Sequence, residues 1–189
     1  MVSMGCGRAV LIGCWAAATV LATHARAEPA GALTDLVDAA AQRLQVAEPV
    51  AASKWITHGA IEDPDRVERE LGQARGEADA AGIDADYVAR VFGDQINATE
   101  AIEYSRFAGW KLKPAGAPSA APDLSASRAA IDGFNRTMLA QIVARWDLLH
   151  SPACGPELDA AKADVARVRR LDDLYQQALS LATRSYCQG

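Results

Sequence analysis

Histidine, cysteine and long apolar runs are all scarce in this 189-residue chain, and each shortage removes a class of chemistry. The three histidines, His24, His58 and His150, sit in no ligand-like spacing, so neither a metal site nor a metal cofactor is expected. There is no Ser/His/Asp set and no phosphate-binding glycine loop, which sets aside the common nucleophilic and nucleotide-dependent mechanisms. β-Branched runs are few, and no stretch alternates apolar with polar residues as a half-buried strand would. A basic excess is missing too: the formal charge is −5, which argues against a nucleic-acid partner. Internal repeats and low-complexity tracts are also absent from the sequence.

The longest apolar run, Ala9 to Ala22, has 14 residues and is too short to cross a bilayer. Arg8 precedes it and Ala25-Arg26-Ala27 follows, the charge, core and A-x-A pattern of a secretory signal peptide. Residues 1–27 are therefore expected to be removed, with the mature chain starting at Glu28, exported and not bound to a membrane. Removing 27 residues from 189 leaves 162, enough for one domain (28–189) with a real core. Arg8 and Arg26 leave with the leader, so 17 basic residues remain against 24 acidic ones, a formal −7.

Of the four cysteines, Cys6 and Cys14 belong to the leader, which leaves Cys154 and Cys187. Two cysteines in an oxidising compartment are expected to pair. Residues 157–187 contain no Gly or Pro and could form one helix, whose ends would lie roughly 50 Å apart. A disulfide needs Cα atoms within about 7 Å. The segment must then fold back as a helical hairpin, turning near Arg170 to Asp172.

Elsewhere the periodicity is helical, and the chain reads as an all-α, single-domain bundle of about six helices. The first runs from Leu33 to His58 with Gly59 as its stop, and Pro49 should bend it. Asp63 and Pro64 open the second as N-cap and N1, and Gly82 ends it, with Gly72 and Gly76 weakening it. The third, capped by Asp84 and continuing to Leu112, is the central helix. It carries an apolar stripe of Val88, Phe92, Ile96, Ile102 and Phe107. A Pro/Ala/Gly connector, Lys113 to Pro122, leads to a fourth helix, Leu124 to His150, and the C-terminal hairpin completes the bundle.

Charged side chains lie on or near the core-facing lines of these helices. Arg43, Ala47, Val50 and Lys54 recur at i, i+4, i+7 and i+11, so both cations point the same way along an apolar line. Arg66 and Glu70 stand at i, i+4, which alone would describe a surface ion pair. Thr99 and Glu103 share a face beside the central stripe, and Arg128 lies one turn before Ile131. Each has an ordinary structural role open to it: a snorkelling lysine, a cap at Asp63, a helix-end arginine, a glutamate reaching water. Together, four cations and three acceptors or acids from four helices suit a small polyanion held inside the bundle, with catalysis by positioning and electrostatics.

The stretches Ala39–Leu44, Pro49–Trp55, Asp84–Phe92, Asp94–Arg106 and Asp123–Arg128 resemble the secreted (gamma) subclass of the all-helical, AroQ-type bacterial chorismate mutases. The similarity spans essentially the whole mature chain, with the leader before it and the two C-terminal cysteines. It implies the type II chorismate mutase fold and an isomerase that rearranges chorismate to prephenate by an intramolecular Claisen reaction, without cofactor or covalent intermediate. Carried over by motif, Arg43 and Arg128 would bind the substrate carboxylates with help from Thr99. Arg66 would hold the dianion in its compact chair, and Lys54 and Glu103 would address the ether oxygen. Glu70 would accept from the ring hydroxyl, close to the main chain at Asp63. The resemblance also implies that Arg128 comes from the same chain, so each protomer would hold a complete site. Secreted members carry an amide where this chain has Glu70. A carboxylate occurs there in other branches of the fold, and function is expected to survive the difference. The alternative class is an exported helical protein that binds a small anion without turnover. The oligomeric state stays open, with a homodimer one option.

Overall fold

The computed structural model describes residues 1–2 and 31–188. The expected leader, residues 1–27, lies outside the described residues except for its first two. Eight α-helices and one 3-10 turn, Pro114–Gly116, are found among the described residues. The count exceeds six because two of the expected helices are broken.

The first break is at Val46. Helix α1 (Thr34–Gln45) stops there and α2 (Ala47–Thr57) starts afresh. Pro49 explains the place as well as the fact, because its ring opposes the carbonyl four residues earlier, at Gln45. The second break, at Arg145, divides α5 (Leu124–Ala144) from the four-residue α6 (Trp146–Leu149). Neither Gly nor Pro marks it. Trp146 instead turns to pack edge-on against Tyr87, ring centroids 5.2 Å apart.

The remaining boundaries follow from capping. In α3 (Pro64–Ala81), the Asp63 carboxylate accepts from the Arg66 amide, and Gly82 closes the helix at φ +72°, where a side chain would be strained. The Asp84 carboxylate accepts from the amides of Asp86 and Tyr87 and starts α4 (Ala85–Leu112), whose 28 residues make it the longest element.

Helix α4 is the axis, with α3, α8, α2 and α1 packed around it. Val88, Phe92, Ile96 and Ile102 are buried as their spacing predicts, while Phe107 is only half-buried, its ring 5.2 Å from that of Trp55. Helix α1 is buried on nearly every side: small Ala39, Ala40 and Ala41 let α4, α5, α7 and α8 approach. The Gln95 side chain donates to the Ala40 carbonyl and ties α4 to α1 through the core.

The C-terminal segment folds back as the cysteine argument requires. Helix α7 (Cys154–Arg169) turns through Arg170, in the left-handed region at φ 52°, into α8 (Asp173–Ala182). Cys154 and Cys187 are bonded, with Cα atoms 5.6 Å apart. Beside them Tyr186 is fully buried, and its carbonyl accepts from the Tyr87 hydroxyl at 2.7 Å. No helix among the described residues is long and apolar enough to cross a membrane.

Candidate active site

The kinked α1–α2 pair, α3, the middle of α4 and the first half of α5 enclose one cavity. All eight residues singled out in the sequence line it: Arg43, Lys54, Asp63, Arg66, Glu70, Thr99, Glu103 and Arg128. The bend at Val46 does not separate Arg43 from Lys54, and both still face the same space.

Lys54 and Glu103 form the deepest ion pair. Glu103 is only 2% exposed, and its Oε2 lies 2.7 Å from Lys54 Nζ. The ammonium also donates to the Ile61 carbonyl at 2.7 Å, which aims it across the cavity. Two effects compete at Glu103: burial raises its pKa, and the hydrogen bond and charge of Lys54 lower it. Burial wins, so the carboxyl sits above the ordinary carboxylate range. A buried acid of this kind can keep a proton and donate it in a hydrogen bond, which a carboxylate cannot do.

Arg43 is held on three sides although it is 4% exposed. Its Nε donates to Asn135 Oδ1 at 2.7 Å, its NH1 donates to Thr99 Oγ1 at 3.3 Å, and its NH2 lies 3.6 Å from Glu70 Oε2. Burial pulls its pKa down to about 10, which leaves it a cation at neutral pH. The Thr99 hydroxyl donates a hydrogen bond to the Gln95 carbonyl at 2.8 Å, so its oxygen is oriented to accept. Arg66 Nε donates to Glu70 Oε1 at 2.7 Å, within the same helix. The Asp63 carboxylate is engaged as the cap of α3, and the residue lines the cavity. Arg128 is exposed at the mouth and has no ion pair among the described residues.

Four contributors carry no flag in the sequence reading. Asn135 stands seven residues, two turns, after Arg128, a spacing that would have revealed it. Ser127 and Glu100 line the wall, and Glu100 lies three residues before Glu103 on the same face. The Ile61 carbonyl is backbone and leaves no trace in residue type. No group of His, Cys, Asp or Glu suited to holding a metal occurs among the described residues. The arrangement can therefore bind a multiply charged anion through guanidinium groups and present a cation and a buried acid to one atom of it.

The family described as chorismate mutase type II has a model that matches residues 34–104. A secreted chorismate mutase of Mycobacterium tuberculosis is 58% identical over 165 residues, covering 87% of this chain and 83% of the relative. One of Mycolicibacterium smegmatis is 54% identical over 165 residues, covering 87% and 91%. Among solved structures, a chorismate mutase from Burkholderia phymatum superposes with a TM-score of 0.78 at 26% identity, covering 84% of this chain and 97% of that one. The enzyme from Burkholderia thailandensis gives 0.76 at 34% identity, covering 82% and 99%.

Proposed function

The chain belongs to the type II chorismate mutases, and from that premise we propose how its cavity turns chorismate into prephenate. The reaction breaks one ether C–O bond as a C–C bond forms within the same molecule. Nothing is added, and no proton need enter or leave. A protein can speed it only by holding the reactive fold of the substrate and by stabilising charge that builds on the ether oxygen.

Arg43 and Arg128 bind the two carboxylates, with the Thr99 hydroxyl beside the first. Arg66 reaches across to hold the dianion in its compact chair. Lys54 and protonated Glu103 donate to the ether oxygen, strengthening as negative charge develops there. Glu70 accepts from the ring hydroxyl, near the main chain at Asp63. The observation that carries this reading is the 2.7 Å pair of Lys54 with a nearly unexposed Glu103, inside a cavity whose arginines come from three helices of one chain. Loss of chorismate absorbance on adding purified protein tests turnover. Retention of that absorbance with Lys54 and Glu103 intact would leave only a binding function.

The protein is exported. Both curated relatives are named as secreted, and the Cys154–Cys187 bond suits an oxidising compartment. We assign residues 1–27 as the leader and 28–189 as the catalytic domain, which N-terminal sequencing of the exported protein would check.

A further inference from the structure

The four cations of the cavity are matched by as many carboxyl side chains. Lys54 is taken by Glu103. Glu70 takes two more: one oxygen lies 2.7 Å from Arg66 Nε, and the other lies 3.6 Å from Arg43 NH2. One carboxylate thus bridges two of the three arginines, and it is itself only 27% exposed. Without it, two guanidinium groups that feel each other's charge would face one another, one of them 4% exposed. An uncompensated charge at that depth is costly, so the empty cavity gains from the bridge. The same bridge works against a ligand: an entering carboxylate finds Arg66 Nε already donating to Glu70, Arg43 NH2 facing the same carboxylate, and a like charge between the two guanidinium groups.

Resting on the reading of this cavity as the chorismate site, we propose that Glu70 is an internal counter-ion that the substrate dianion must displace. Its charge lowers affinity and excludes weaker anions, while its oxygen remains able to accept from a hydroxyl. A single carboxylate brings too little charge to replace the bridge. A dianion, reaching Arg128 as well, brings enough. Glu70 is therefore a specificity-determining residue, acting on which anions enter rather than on the bonds that rearrange.

Two substitutions separate charge from hydrogen bonding. Glu70→Gln keeps an accepting oxygen and removes the charge, and Glu70→Ala removes both. With Glu70→Gln, KM for chorismate should fall about fivefold at low ionic strength, with the change falling on KM more than on kcat. The gap to wild type should close as salt is raised to about 0.5 M. Inhibition by simple monocarboxylates such as benzoate should strengthen in Glu70→Gln. Glu70→Ala should gain less affinity than Glu70→Gln, having lost the acceptor. Lowered thermal stability of the empty protein with no fall in KM would mean that Glu70 is only structural, and would overturn the proposal. An unchanged or raised KM at low salt would do the same. Arg128→Ala and Lys54→Ala serve as controls: if both retain turnover, the assignment of the site itself fails. If both lose it while Glu70→Gln keeps the wild-type KM, only the counter-ion fails.

Discussion

Around the cavity, helices α1 to α5 place charged and amide side chains among apolar ones, whereas α1, α4, α7 and α8 meet across an apolar core closed by a disulfide and edged by the ion pairs of Asp38 with Arg169 and Asp94 with Arg184. The first region holds Arg43 and Glu103 out of water with a handful of hydrogen bonds. The second buries Tyr87, Leu179 and Tyr186 in a continuous apolar core. Buried charge is costly even when paired, so the catalytic side cannot be the source of stability. Stability is concentrated where no substrate goes, and the site is suspended from it. The two regions should therefore respond to mutation in separable ways.

The largest effect should come from cutting the staple. Cys154→Ser together with Cys187→Ser opens a closed loop spanning 33 positions, worth about 4 kcal/mol by the chain-entropy model. Chemical denaturation should show that loss, while kcat/KM of the folded fraction stays near wild type. A matching collapse of kcat/KM at temperatures where the variant is folded would erase the division between the regions.

Arg128→Ala should give the mirror image. Transition-state binding should weaken by roughly 2–4 kcal/mol, with the helical signal and melting temperature unchanged. Steady-state kinetics and circular dichroism measure the two halves of that claim. Mixing it with Lys54→Ala should restore no activity, since both groups act within one chain. Recovery would place the site between chains.

A smaller change tests the apolar side at one atom. Tyr87→Phe removes the hydroxyl that donates to the Tyr186 carbonyl and leaves that buried acceptor unpaired, at a cost of about 1–3 kcal/mol. Denaturant melts should show it, with turnover unaffected.

The subtlest prediction concerns the shape of a curve. Burial holds the Glu103 carboxyl above its ordinary pKa, so the protonated donor is lost as pH rises through that value, and turnover falls on the alkaline side. Glu103→Gln donates at every pH and should lack that limb while remaining active. A Gln variant with the wild-type profile, or as inactive as Glu103→Ala, would remove Glu103 from the donor role.

The sequence made some of this legible because certain residues act alone. Pro49 announces a bend whatever surrounds it, and Asp63, Asp84 and Gly82 mark helix ends by local chemistry. The turn at Arg170 followed from two cysteines and the length of a helix. The cavity charges were visible because a cation on a core-facing line is conspicuous. What stayed hidden depends on partners distant in the chain. Asn135 matters only because Arg43, 92 positions earlier, donates to it. The break at Arg145 arises when Trp146 finds Tyr87, and the Ile61 carbonyl has no side chain to advertise it.

Helix α5 has a consequence for how the cavity is entered. Between Leu124 and Asn135 it buries only Ser127 and Ile131, and its firmest polar link inward is Asn135 to Arg43. Lifting that stretch exposes less of the apolar core than lifting α4 or α8 would, so its opening should cost less free energy than theirs. Amides of that stretch should exchange with deuterium well before those of α4, and a bound dianion joining Arg128 to Arg43 should slow them. The helix that completes the site would then also be its door, with the ligand itself as the latch.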